Sequence, residues 1–257
     1  MVDLKADNVS VTVDGIKLVS NASLTIRPGE LVAILGANGA GKTTLLRALL
    51  GLQKTSSGSV TLGGSDVSRL TSVERARHVA YLPQRRPIAW PNIVRDVVAL
   101  GRFAHGAALG NLGAEDAAAV AMALSSCDLL HLAERRIDNL SGGELARVHF
   151  ARALAAHSPL LIADEPVAEL DPRHQFNVAD LIGSYVREGG GALVVLHEIT
   201  LAARIANRLV WMTDGRIVAD GTPLETLTEK RLEEVYGVRA RVHSKENDLD
   251  VRIDGAL

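Results

Sequence analysis

Gly36-Ala37-Asn38-Gly39-Ala40-Gly41-Lys42-Thr43 satisfies the pattern G-x-x-x-x-G-K-[ST], and its reading decides the fold. Backbone N–H groups can surround a phosphate only where no Cβ blocks the approach, and three of these eight residues are glycine. Lys42 is placed to reach terminal phosphates and Thr43 to offer a hydroxyl to Mg²⁺, at the positive end of a helix dipole. Just before the loop, Leu31-Val32-Ala33-Ile34-Leu35 is a short apolar run of the kind buried in parallel sheets. Just after it, residues 42–50 read as a helix closed by Gly51. Strand, glycine loop and helix in that order make this a phosphate-binding loop.

Outward from the loop, residues 9–13 and 22–26 alternate apolar and polar side chains, with turns at Asp14-Gly15 and Arg27-Pro28-Gly29. They predict an antiparallel β layer ahead of the loop. Residues 59–62 followed by Gly63-Gly64 predict another strand and turn. Residues 79–84 read as a strand stopped by Pro83, which leaves Gln84 at a loop entrance. An amide there suits a metal ion or an attacking water, and it equally suits an ordinary solvated loop.

From 85 to 139 the pattern becomes helical, with Ile93, Val94, Val97, Val98 and Leu100 at helical spacing and an Ala-rich stretch over 114–124. This predicts a separate helical lobe. Its entry loop, Arg85-Arg86-Pro87-Ile88-Ala89-Trp90-Pro91, reads either as a docking surface or as a Trp packed on its own lobe. Leu140-Ser141-Gly142-Gly143-Glu144 then opens a helix over 145–156. Ser141 and Glu144 have capping-box spacing, whereas adjacent glycines imply close approach to the backbone, for which a phosphate is the candidate.

Leu160-Leu161-Ile162-Ala163-Asp164-Glu165 is a buried strand ending in two acids. Beside a phosphate loop, Asp164 would hold Mg²⁺ through water and Glu165 would orient or deprotonate the attacking water, although such a pair by itself also caps helices. Asp171-Pro172 reads equally as a cap with its first helical residue. Gly189-Gly190-Gly191 precedes the apolar strand 192–196, which delivers His197, either a polar edge residue or a γ-phosphate sensor. Thr213-Asp214-Gly215 is a hairpin signal between 208–212 and 216–221. The remaining tail is polar, with a weak strand around 249–253.

Over residues 5–235 these motifs together resemble the ATP-binding cassette (ABC) family of transporter ATPases. The resemblance implies an α/β fold: a P-loop ATPase core with a mostly parallel sheet, an N-terminal antiparallel β layer and an inserted α-helical subdomain. It implies a nucleotide core over 1–84 and 159–257, and a helical signature lobe over 85–158. On the same basis Gly36, Ala37, Asn38, Gly39, Ala40, Gly41, Lys42, Thr43 and Thr44 would bind ATP. Ser141, Gly142, Gly143 and Asp171 would bind the ATP held by a second copy. Thr43, Gln84 and Asp164 would serve Mg²⁺, and Glu165, His197 and Gln84 would serve catalysis.

The implied partners are a second copy in a head-to-tail ATP sandwich, a polytopic membrane permease and, indirectly, a periplasmic or surface substrate-binding protein. The chain would sit peripherally on the cytoplasmic face of the membrane. Residues 81–84, 97–102, 221–223 and 234–238 are further similar to cassettes of iron-chelate, haem and cobalamin importers. Three departures stand out. Val13 occupies the position that usually stacks an aromatic ring on adenine, Glu144 stands where Gln is usual, and Glu198 stands where Asp is usual.

Composition is compatible with this reading. The 257 residues carry a net charge of −2 from 28 basic and 30 acidic side chains, which gives no basic footprint, and no nucleic-acid partner is expected. The single cysteine, Cys127, excludes an internal disulfide framework. The first residues lack the pattern of a signal peptide, and no apolar run approaches the ~20 residues of a membrane span. A soluble cassette ATPase not coupled to transport, as in DNA repair or translation, would share the ATPase motifs. A P-loop kinase would share only residues 36–43.

Overall fold

A computed structural model describes residues 2–84, 92–108, 110–168, 170–245 and 248–257. The fold is α/β with a mostly parallel sheet, and the chain forms two compact units, 1–69 with 191–257, and 70–190.

The first unit contains an antiparallel sheet in the order Ile16–Ile26, Leu4–Val13, Ser57–Leu62, Ser65–Asp66. Asp14 and Gly15 both have positive φ, 50° and 78°, which lets the first hairpin close in two residues. The second sheet of this unit places Leu31–Leu35 between Gly191–Val195 and Arg208–Thr213, parallel to both, with Arg216–Gly221 antiparallel at the edge. Every residue of Leu31–Leu35 and Gly191–Val195 is buried, which is why these strands are continuous apolar runs. The strands predicted over 31–35 and 192–196 are therefore present, and those predicted over 9–13 and 22–26 extend further toward the N-terminus.

The tail is more ordered than its polarity suggests. It forms the helices Pro223–Thr226 and Glu229–Tyr236, then a hairpin of Val238–Lys245 with Asp248–Ala256. Thr222 and Glu225 make a capping box with Pro223 at the first turn, a structural reason for the Gly221-Thr222-Pro223 sequence. The single weak strand expected near 249–253 is thus one arm of a hairpin. Its partner strand carries a readable period-2 signal, with Val238, Ala240 and Val242 alternating with Arg239, Arg241 and His243.

The second unit holds a parallel pair, Val79–Leu82 with Leu160–Asp164, and the helices Ser72–His78, Val94–Ala99, Ala114–Ser126, Gly142–Ala155 and Pro172–Arg187. The Gly142–Ala155 helix packs against Val94–Ala99 and Ala114–Ser126. A Cβ on Gly101 would lie 2.2 Å from the Arg152 carbonyl oxygen, so glycine is required where that turn meets the helix. Arg102 beside it is 2% exposed, donating to Asp116 Oδ1 at 2.7 Å and to the Ala155 carbonyl at 3.1 Å. The Gly101-Arg102 pair therefore ties three elements of this unit together. Ser72–His78 was missed because none of its residues is buried, although its Thr71–Glu74 capping box is a readable signal. Loop 85–91, with Trp90, lies outside the described residues. Among the described residues no helix is long and apolar enough to cross a membrane.

Candidate functional site: a nucleotide loop and a carboxylate pair

The glycine loop leaves the buried strand at Leu35, which is in register with Trp211. Each of its three glycines has a different cause. A Cβ on Gly36 would sit 2.3 Å from the Met212 carbonyl oxygen, which excludes any side chain there. Gly39, at φ 82°, faces open space. Gly41, at φ 95°, would place a Cβ 2.5 Å from the Leu18 carbonyl oxygen. Gly41 is also the N-cap of Lys42–Leu49 and makes no side-chain capping bond. Backbone donors without a Cβ in their way, at a helix N-terminus, fit a phosphate.

Lys42 is 5% exposed, and its ammonium donates to the Gly36 carbonyl at 2.6 Å and the Ala37 carbonyl at 2.9 Å. The cation is thus folded over its own loop. Distant segments hold the loop's far side: Ser20 N–H donates to Gly215 O at 2.7 Å, and Gly215 N–H donates to Ala40 O at 3.1 Å. The predicted turn at Asp214-Gly215 therefore also braces the phosphate loop. At the adjacent strand end Leu196 N–H donates to Ile34 O at 3.2 Å, and exposed His197 is the next residue.

In the other unit Asp164, 1% exposed, ends the strand Leu160–Asp164. Glu165 follows with φ 50°. Most other non-glycine residues at positive φ here are Asn or Asp, whose short side chains tolerate it, whereas a Glu in that region costs of order 1–2 kcal/mol. Gln84 Nε2 donates to Glu165 Oε2 at 2.7 Å. Gln84 and Glu165, 81 residues apart, are thereby brought together.

The capping box is present in both directions: Ser141 N–H donates to Glu144 Oε2 at 2.7 Å, and Glu144 N–H to Ser141 Oγ at 3.3 Å. Those bonds hold the Glu144 carboxyl below its usual range, so its charge is spent on the cap. Asp171 caps Pro172–Arg187 by accepting from His174 N–H at 3.0 Å, with Pro172 in the first turn. Of the two glycines, Gly142 faces open space, but a Cβ on Gly143 would fall 2.5 Å from the His174 ring. The close neighbour of Gly143 is an imidazole of its own unit. His174, 30% exposed, also approaches Asp171 Oδ2 at 3.8 Å.

Gly143→Ala is expected to lower the thermal midpoint by a few degrees, because overpacking of about 1–3 kcal/mol exceeds the gain in helix propensity of at most about 1. Differential scanning calorimetry reads this directly. An unchanged midpoint would mean that the ring swings aside freely.

A mostly parallel α/β fold whose central strand runs into a glycine loop, a buried lysine and a helix defines a P-loop nucleotide-binding domain. The chain belongs to the ABC transporter family, whose model matches residues 19–168. It is an ABC transporter ATPase domain and binds nucleotide. The hemin import ATP-binding protein HmuV of Rhodococcus jostii (strain RHA1) is 40% identical over 236 residues, covering 92% of this chain and 80% of that protein. HmuV of Bordetella pertussis (strain Tohama I) is 40% identical over 252 residues, covering 93% and 94%. Among solved structures, the dimeric bacterial ABC transporter cassette MJ0796 is 27% identical with a TM-score of 0.74, covering 85% of this chain and 98% of that one.

Proposed function

We propose that this chain is the ATP-hydrolysing subunit of an importer for haem, working through a partner permease. The observation that carries the reading is near-full-length likeness at 40% identity to hemin import ATP-binding proteins. The site residues support the chemistry. Lys42 and the N–H groups of 36–44 hold the triphosphate, and Glu165, steadied by Gln84, orients and deprotonates the attacking water. His197 contacts the γ-phosphate. Such catalysis is mostly positioning and charge stabilisation.

Thr43, Gln84 and Asp164 would hold Mg²⁺, since a hydroxyl, an amide oxygen and a carboxylate are the hard oxygen donors that ion takes. When bound, it neutralises phosphate charge. Ser141, Gly142, Gly143 and Asp171 meet the ATP of a second copy in a head-to-tail dimer. Residues 1–84 and 159–257 act as the nucleotide lobe, and 85–158 as the signature lobe. The pair docks on a polytopic permease at the cytoplasmic face, which a substrate-binding protein feeds from the other side.

A mild-detergent pull-down from native membranes tests this reading. A many-helix permease at about one to one, followed by ATP-dependent hemin uptake in vesicles carrying that pair, is the expected result. Recovery of soluble partners alone would leave the ATPase and reject transport.

Val13 bears on nucleotide choice. It is half-buried at the hairpin end, paired with Ile16, which is 65% exposed. Base stacking on an aromatic ring contributes ~1–3 kcal/mol, so Val13→Tyr is expected to tighten ATP binding about fivefold or more and to change the ATP-to-GTP ratio. Titration calorimetry with both nucleotides checks this, and unchanged affinities would remove the role of position 13.

A further inference from the structure

The strand Leu31–Leu35 is hydrogen-bonded on both sides, but Gly36 lies one residue beyond the ladder and its N–H needs another acceptor. That acceptor comes from 200 residues away: Gly36 N–H donates to the Tyr236 hydroxyl at 3.0 Å. Tyr236 is the last residue of Glu229–Tyr236, a helix capped at its start by Thr228 and anchored by Leu232 and Val235, 0% and 5% exposed. Its ring meets Trp211 edge-on, with centroids 6.4 Å apart at 76°. Trp211 is fully buried and pairs with Leu35, and the next residue, Met212, presents the carbonyl that excludes a Cβ at Gly36. Burial pushes the phenol up to about 12, so the hydroxyl stays neutral at working pH.

Gly36 is therefore held on both sides: the N–H of the Leu35–Gly36 peptide by Tyr236, and the carbonyl of the following Gly36–Ala37 peptide by the Lys42 ammonium. We propose that Tyr236 is a positioning residue for the nucleotide loop, fixing the Leu35–Gly36 peptide from which the loop departs and so the place of the next carbonyl, on which the Lys42 ammonium rests. The proposal rests on the loop's binding nucleotide, and it makes nucleotide affinity depend on the C-terminal helix. Removing the hydroxyl leaves a buried N–H without its acceptor and lets the loop leave the binding geometry, so the loss falls on binding.

The test uses the full chain with Tyr236→Phe, which keeps the ring against Trp211. The expected result is a rise of about three- to tenfold in the Kd and KM for ATP with kcat changed less than about twofold. Amide exchange of segment 31–41 should quicken at the same time. Leu232→Ala is the control: it loosens the same helix while leaving the hydroxyl in place. Unchanged Kd in Tyr236→Phe, or an equal rise in Leu232→Ala at matched thermal midpoint, would overturn the proposal and leave Tyr236 a packing residue. Lys42→Ala run in parallel separates the two levels, since intact binding there would defeat the loop's role itself.

Discussion

Replacing Glu165 by glutamine is expected to cut ATP turnover by about 10²–10⁴, the range a positioned general base supplies, while ATP binding is retained. The substitution keeps the length and planarity of the side chain and an oxygen that can still accept from Gln84, whose donor lies 2.7 Å away. It does not relieve the left-handed backbone at φ 50°, because both residues carry the same Cβ and Cγ. What is lost is the negative charge that takes a proton from water. The proposed dimer should then persist with ATP, since the step that would open it is blocked. Steady-state turnover together with size-exclusion chromatography in ATP and Mg²⁺ measures both effects. Rapid turnover by this variant would assign the base elsewhere.

Lys42→Ala is expected to weaken ATP binding by about thirtyfold or more, consistent with the ~2–5 kcal/mol that follows truncation of a buried, hydrogen-bonded charge. The magnitude follows from the environment. At 5% exposure the ammonium is nearly removed from water, so its attraction to phosphate is poorly screened. Its bonds to Gly36 and Ala37 carbonyls keep it over the loop, so little side-chain entropy is lost when phosphate arrives. Titration calorimetry with ATP measures the loss. Thermal unfolding of the variant without nucleotide checks that the fold survives, and unchanged affinity with an intact fold would argue against the loop's role.

Much of the site was legible because its chemistry is local. Residues 36–43 carry strand exit, glycines, lysine and hydroxyl in one run, and Ser141 with Glu144 carries its cap in four residues. Asp171 carried two readings, and the cap is the one for which the structure shows a hydrogen bond. The Gly142-Gly143 pair suggested a single ligand, yet only Gly143 is crowded, and by His174. A sequence spacing of 31 residues gives no sign of that contact. Ser72–His78 was hidden for another reason: none of its side chains is buried, so no periodic apolar pattern marks it.

The sequence by itself determined the class of fold, the order of the motifs and the residue types proposed to meet phosphate, because strand burial, glycine freedom and helix capping act over a few neighbouring residues. Only the tertiary structure decided how those parts are held. The Gln84–Glu165 bond, the brace from Ser20 through Gly215 to Ala40, and the Tyr236 hydroxyl on Gly36 all join residues far apart in the chain. The backbone bonds arise because a polar group left at a strand end must find a partner once buried, whereas exposed Gln84 meets Glu165 because the parallel strands Val79–Leu82 and Leu160–Asp164 end side by side; only the packed fold fixes which distant group is within reach.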